Sequence, residues 1–410
     1  MECNFLQIPH HIIASISEWL SIDDIKSIRL TCTTLYRLSF CKEVLQRIHL
    51  QPRCISERLI IFIEKLLHGK FIRMSLHKLN SAGALCLINK LPNITDLTVG
   101  AQHLSIVSLS CKFIRRLALV DDKLVFIPEK TDVCDEYFQS LKLLEFLSEI
   151  ALYGCHQVYS IEVISQIVNY SKNLCLFSLN FLTLSTPKKN KKPVLHAILN
   201  SSHVRHWKFR SVMFLSNSAI VLPLTTLTFE CIDTILSPLD ERHNQIEKIL
   251  LDGMIPYNAK FWGKNNFVNL KSLEIRKAFF YHSKLPLCSC LTFLKLVDCH
   301  ASLKYILELS RAVEVSLKCL SVQAYDSFDD IAILKILSKF KFLEELELVN
   351  MGKLTFAIFL EIKHKHLKVL RFKGCKKIAL SNIESIKNMV TFRIDVSDTF
   401  KKDSSIFLDW

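Results

Sequence analysis

Cysteine and histidine stand side by side twice in this chain, at Cys155-His156 and at Cys299-His300. A thiolate nucleophile needs its base within hydrogen-bond reach, about 2.6–3.2 Å. Adjacent residues of a strand or turn point apart, so both pairs read as structural. His10 with His11, and His364 with His366, are read as surface residues rather than metal ligands. The closest cysteines are Cys288 and Cys290, and no C-x-x-C occurs. Structural zinc usually takes two such pairs at short spacing, so no metal is expected. The sequence holds no G-x-x-x-x-G-K, G-x-G-x-x-G, H-E-x-x-H or G-x-S-x-G. Phosphate-loop, dinucleotide, zincin and hydrolase-elbow chemistry therefore lack their residues, and neither a catalytic group nor a cofactor is expected. The run Pro187-Lys188-Lys189-Asn190-Lys191-Lys192-Pro193 has two readings, an import signal or anion contact and a solvated insertion. Proline at both ends favours an exposed, extended segment.

The frame for such residues is bounded by composition. Of 410 residues, 50% are hydrophobic and 22% charged, which rules out general disorder and allows a large core. Only 8 glycines occur, which argues against glycine-rich phosphate loops. The formal charge of +14 permits acidic protein, nucleic acid or anionic membrane partners. The 15 cysteines are scattered, and Met1-Glu2-Cys3-Asn4 lacks the basic-then-apolar order of a secretory signal. A reducing compartment, cytoplasm or nucleus, is the expectation, with cysteine acting as a small buried group. The longest uncharged stretch, Ser211 to Phe229, is broken by serines, threonines, Asn217 and Pro223, so no transmembrane segment is expected.

The positioning elements repeat. Ile94-x-x-Leu97-x-Val99 sets an apolar-x-x-apolar-x-apolar order, as do Ile114-x-x-Leu117-x-Leu119 and Leu147-x-x-Ile150-x-Leu152. It returns from Leu174, Val204, Leu224, Ile246, Leu270, Leu291, Leu317, Leu343 and Leu367, with weaker copies from Phe71 and Met389, 14 in all. The last anchors of the first and final copies, Leu76 and Ile394, are 318 residues apart over 13 intervals, about 24.5 each. Leucine-rich repeats run about 20 to 29 residues. Alternation at the second and third anchors is strand-like with one buried face. Ile161 to Tyr170, Leu303 to Leu309 and Ile331 to Leu337 suit helices between strands. One strand and one helix cannot bury their apolar faces alone, so neighbours must stack. Cys155, Cys299 and Cys375 each follow a last anchor by three, at the Asn/Cys position of the repeat.

Residues 1 to 50 do not share this pattern. Pro9 suits the first turn of a helix. Ile12, Ile16 and Leu20 recur every four residues as one apolar stripe. Ser21 can cap a second helix with Asp24 as its reciprocal partner, and Ile25, Ile28 and Cys32 form its stripe. Leu35, Tyr36 and Leu38 begin a third. Three short helices make a small core, near the limit of independent stability. Between the two parts, Ser56 can cap an amphipathic helix through Leu59, Ile60, Ile63 and Leu67.

The N-terminal order resembles an F-box, the adaptor-binding module of SCF ubiquitin ligases, over about residues 5 to 40. The resemblance rests on Ile8-Pro9, on Leu20-Ser21-x-x-Asp24-Ile25, and on Ile28-Arg29-x-x-Cys32-x-x-Leu35-Tyr36. His11 stands where the family often has an acidic residue, and Ile22 where it often has proline. The other reading of this segment is a helical cap on the repeats. With the repeats, the chain resembles the F-box/leucine-rich-repeat family. That implies an α/β fold, with a three-helix F-box over 1–50, a helical linker over 51–70, a curved solenoid of about 14 strand-helix repeats over 71–396, and a C-terminal cap or tail over 397–410. It implies a non-catalytic substrate receptor of a ubiquitin ligase. Ile8, Pro9, Ile12, Ile16, Leu20, Ile25, Ile28, Cys32, Leu35 and Tyr36 would meet the adaptor and through it cullin, while the repeats hold a protein target.

Strand residues between and after the second and third anchors face away from the helices. Their basic members are His206, Lys208, Arg210, Arg276, Lys295, Arg371, Lys373 and Arg393. Arginine forks bind carboxylates and phosphates in a bidentate way, so an acidic or phosphorylated target segment is expected there, the alternative being solvated strand residues. Two other functions stay open, an adaptor-bound scaffold outside the ligase, such as a chromatin assembly, and a basic solenoid on RNA or a membrane. The mixed signs, with Glu344, Glu345 and Glu347 in one strand, disfavour nucleic acid.

Overall fold

The computed structural model describes Ser27 and residues 49–50, 73–90, 93–121, 131–154, 157–185, 203–214, 228–232, 245–253, 267–277, 279–280, 288–301, 303, 306–307, 313, 316–323, 328–375, 377–378 and 392–397. The adaptor set from Ile8 to Tyr36, the linker over 51–70, Cys155-His156 and the basic run 187–193 lie outside the described residues.

Two compact units divide the chain, Met1–Lys189 and Asn190–Trp410. In the first, β1 (His49–Leu50), β2 (Arg73–Ser75), β3 (Asp96–Gly100), β4 (Arg116–Val120), β5 (Glu149–Tyr153) and β7 (Leu176–Asn180) pair in parallel, each with the next. Short β6 (Val158–Ser160) and β8 (Thr183–Ser185) pair separately. Helices α1 (Ser81–Asn89), α2 (Leu104–Ser110), α3 (Thr131–Lys142) and α4 (Ile161–Tyr170) carry the chain back between strands. Two of these starts, those of α1 and α4, follow from capping side chains. Asn80 accepts from Gly83 N at 2.8 Å before α1, and Ser160 from Glu162 N at 3.2 Å before α4.

The second unit repeats the plan. β9 (His206–Arg210), β11 (Thr228–Ile232), β12 (Lys248–Asp252), β13 (Ser272–Arg276), β15 (Phe293–Val297), β17 (Cys319–Gln323), β18 (Glu345–Val349), β19 (Val369–Lys373) and β20 (Arg393–Ser397) pair in parallel in that order. The short strands here are β10 (Met213–Phe214), β14 (Phe279–Phe280) and β16 (His300–Ala301). Helix α5 (Asp330–Lys339) is capped by Asp329, which accepts from Ala332 N at 2.8 Å, and α6 (Ile358–Glu361) is a single turn. The helices expected over Ile161–Tyr170 and Ile331–Leu337 are α4 and the body of α5. The third, over Leu303–Leu309, is helical at its described positions Leu303, Ile306 and Leu307.

The register explains the core. Second anchor pairs with second anchor, as in Leu273 with Leu294, Leu294 with Leu320 and Leu320 with Leu346. Leu294 and Leu346 are fully buried, and so are Leu97, Leu117, Ile150 and Phe177 in the first unit. Parallel strands, apolar anchors in columns and a returning connector resemble a leucine-rich-repeat solenoid.

The residue after a strand often turns left-handed. Positive φ occurs at Phe181, Ser211, Gly253, Lys277, Asp298, Asn350 and Gly374, each directly following a strand. The turn aims its N–H at the neighbouring strand. Lys277 N donates to the Val297 carbonyl at 2.8 Å, and Asn350 N to that of Lys373 at 2.8 Å.

Two copies are set differently from the spacing expected. The copy from Leu224 anticipates anchors at Leu227 and Phe229, yet Phe229 pairs with Trp207 and Cys231 with Phe209, so the strand sits two residues later. Likewise Ile394 pairs with Leu370 and Val396 with Phe372, two residues beyond the expected place. A shift of two preserves which face is apolar, so alternation alone fits either register. Cys231, a small apolar group, is buried at the third-anchor place of this strand. β1 is a further strand that the motif count did not include. Leu50 pairs with Met74, 24 residues on.

Candidate functional site

The first, third and fifth residues of each strand lie opposite the buried anchors, and the parallel register stacks them into rows. In the first unit the central row is Thr98, Ala118, Ala151 and Ser178, all small. In the second it is Lys208, Glu230, Leu250, Glu274, Lys295, Ser321, Glu347, Arg371 and Asp395. The central row is thus charged in the second unit, whereas the first unit's charges stand in its leading row, Arg73, Asp96, Arg116 and Glu149.

Every expected target-binding residue stands on this face of the second unit. His206, Lys208 and Arg210 are on β9, Arg276 on β13, Lys295 on β15, Arg371 and Lys373 on β19, and Arg393 on β20. The structure adds their carboxylates. Lys208 Nζ is 3.4 Å from Glu230 Oε2, and Lys295 Nζ 3.2 Å from Glu274 Oε1. Arg276 meets the same Glu274 oxygen at 2.8 Å and Asp252 Oδ2 at 3.7 Å. Arg371 bridges Glu345 at 2.6 Å and Asp395 at 3.5 Å. Lys373 meets Glu347 at 2.6 Å, and Arg393 meets Asp395 at 2.7 Å. Lys277 Nζ stands 3.1 Å from Asp252 Oδ1 but outside hydrogen-bonding geometry, so its contribution is charge alone.

Except for Arg276 with Glu274 and Arg393 with Asp395, which share a strand, these pairs cross strands, so sequence separation of about one repeat hid them. The signal was the offset. A carboxylate and a cation at the same distance from their own anchors become neighbours once the strands align. Across the nine strands this face holds eight cations, namely Lys208, Arg210, Lys248, Arg276, Lys295, Arg371, Lys373 and Arg393. It holds six carboxylates, Glu230, Asp252, Glu274, Glu345, Glu347 and Asp395. The difference, +2, is a small part of the chain's +14. A surface of paired, half-buried charges with little net field suits a protein partner of mixed charge better than a polyanion.

Among the described cysteines, Cys299 and Cys375 hydrogen-bond to backbone carbonyls of the repeats. Cys299 Sγ lies 3.3 Å from the Ile275 carbonyl and 3.2 Å from that of Val297, and Cys375 Sγ 3.6 Å from that of Leu348. The thiol thus ties one repeat to the preceding one. Burial pushes the Cys111 and Cys288 thiols up to about 12. Burial, with Glu345 and Glu347 nearby and Arg371 partly offsetting them, raises Cys319 to about 11. Such thiols stay protonated near neutral pH and are poor nucleophiles. Among the described residues no helix is long and apolar enough to cross a membrane.

No family model matches the chain, and no curated protein matches it. Among solved structures it is similar to the crystal structure of the Rad7 and Elc1 complex in yeast, at 14% identity, covering 95% of this chain and 94% of that chain with a TM-score of 0.35. It is similar to the TLR13–ssRNA13 complex at 14% identity, with 87% of this chain and 65% of that chain covered and a TM-score of 0.40. An internalin (inlF) from Listeria monocytogenes is similar at 12% identity, with 83% and 89% covered and a TM-score of 0.37. Likenesses this remote carry no function to this chain.

Proposed function

We propose that the chain is the substrate-recognition subunit of an SCF-type ubiquitin ligase. Residues 1–50 dock on the ligase adaptor, and through it on cullin, while the repeats hold the protein target. The observation that carries this reading is the face of the second unit, where nine parallel strands bring charged side chains into register over one surface. The N-terminal match from Ile8-Pro9 to Leu35-Tyr36 supplies the adaptor half of the proposal. A receptor of this kind needs no nucleophile of its own, since other subunits transfer ubiquitin. Near-balance of charge on the face speaks for a protein over RNA or a membrane as its ligand. The test is reconstitution from purified full-length chain, ligase adaptor and cullin, read by size-exclusion chromatography. Co-elution of the three is expected, and separate elution of this chain would overturn the adaptor half.

A further inference from the structure

Most of the chain's positive excess lies off the charged face, and one place in the second unit holds part of it. A cleft of about 580 Å³ is lined by Lys318, Phe342, Glu344, Lys365, His366 and Lys368. It sits at the leading edge of three consecutive strands. Lys318 immediately precedes β17, Glu344 precedes β18 and Lys368 precedes β19. Their backbones are tied in sequence, Glu344 N donating to the Lys318 carbonyl at 2.7 Å and Lys368 N to that of Glu344 at 2.7 Å. The three side chains are therefore held side by side by the same ladder that aligns the strands.

Glu344 occupies the middle. Lys318 Nζ is 3.2 Å from its Oε1, and Lys368 Nζ donates to its Oε2. Each ammonium has three donors and spends one on this carboxylate. The side chains of Lys318 and Lys368 are 62% and 70% exposed, so the remaining donors face solvent. Lys365 is exposed as well. The Phe342 ring, 45% exposed, tilts against His366 at a centroid distance of 5.5 Å and gives the cleft an apolar wall. With His366 neutral, three lysines and one glutamate leave +2. A phosphate monoester carries roughly −1.5 to −2 near pH 7.

The geometry points to this cleft as a reader of phosphoserine or phosphothreonine in an extended segment of the target protein, with the phosphate on the solvent side of the Lys318, Lys365 and Lys368 ammonium groups and a neighbouring apolar side chain against Phe342. The assignment deepens the reading of the repeats as the target-binding part and rests on it. A nucleic acid fits less well. Along the same edge the successive residues are Glu247, Lys271, Thr292, Lys318, Glu344 and Lys368, joined by backbone hydrogen bonds. A single phosphate meets only Glu344, which the three lysines of the cleft outweigh, whereas a continuous phosphate backbone along the row would also meet Glu247.

The test uses the full chain and three labelled probes, read by fluorescence anisotropy. The first is a peptide pool of random flanks around a fixed phosphoserine, the second the same pool with serine, and the third a mixed-sequence single-stranded RNA. The phosphoserine pool should bind about tenfold tighter than the serine pool, as charge-assisted hydrogen bonds imply. That preference should vanish in Lys318→Met with Lys368→Met, fall in Lys365→Met, and persist in Lys271→Met, an exposed lysine of the same edge held 2.8 Å from Glu247. Equal binding of the two peptide pools, an unchanged preference in the lysine variants, or tighter binding of the RNA would overturn the assignment. Adaptor co-elution, measured on the same variants, separates the two ideas. Its loss counts against the proposed function, whereas lost phosphate preference alone tracks the cleft.

Discussion

Lys373 Nζ on β19 lies 2.6 Å from Glu347 Oε1 on β18, and Ser321 on β17 donates to the other carboxylate oxygen at 2.6 Å. One carboxylate thus joins three repeats. Burial alone would raise the Glu347 carboxyl. Hydrogen bonds from Lys373 and Ser321, with the charges of Lys373 and Lys295, outweigh it and hold the group below its ordinary value of 4.5. A folded value below the unfolded one means stability that is complete above about 4.5 and is lost as pH falls through the folded value. The difference in unfolding free energy between the native chain and Glu347→Gln should therefore be largest near neutrality and shrink below pH 4.5. Urea melts across pH check this, and a difference that grew on acidification would contradict the pairing.

The left-handed turns make a prediction of opposite signs. Gly374 sits at φ 64° and Ser211 at φ 49°. A Cβ is strained there, at about 1–2 kcal/mol. Gly374→Ala should destabilise by about that amount. Ser211→Gly should stabilise by less than about 1 kcal/mol, because the extra freedom of an unfolded glycine offsets part of the relief. Thermal melts of the two variants should shift in opposite directions.

The anchor columns predict larger effects. Leu294 and Leu346 are fully buried in one column of the core, two strands apart. Leu→Ala at either should cost about 2–5 kcal/mol through lost burial and a residual cavity. Phe293, half-buried on the opposite side of the same strand, should tolerate alanine far better. Equal losses at 293 and 294 in denaturant titration would contradict the observed facing.

How much of this was legible from sequence depended on the physics behind each signal. Anchors such as Leu294 and Leu346 announce themselves, because burial demands a leucine at a fixed spacing. The strand at Thr228–Ile232 did not, because Leu227-x-Phe229 and Phe229-x-Cys231 alternate equally well and only pairing with Trp207 and Phe209 decides between them. The cations of the charged face were readable one by one. Their partners were not, since Arg371 reaches Glu345 and Asp395 about one repeat away on either side. The cleft at Lys318, Glu344 and Lys368 was hidden for the same reason. Its members look like isolated loop charges until the strands align.

Pairing also shapes the test of the target face. Arg371→Glu with Lys373→Glu would crowd new carboxylates against Glu345, Glu347 and Asp395 and disturb the strands themselves. Arg371→Met with Lys373→Met removes the charges while keeping length. Target capture should fall severalfold in this variant, with adaptor binding intact, if these side chains contact the target. Unchanged capture would move the contact to half-buried apolar positions such as Phe293 and Val297.

The most direct measurement compares the full chain with a variant lacking residues 1–40. Both are expressed in cells held in a proteasome inhibitor, purified, and their co-purifying proteins identified by mass spectrometry. The expected result is that the full chain brings down the ligase adaptor, cullin and a target, while the truncated chain loses adaptor and cullin and keeps the target. Adaptor captured equally by the truncated chain would contradict the account.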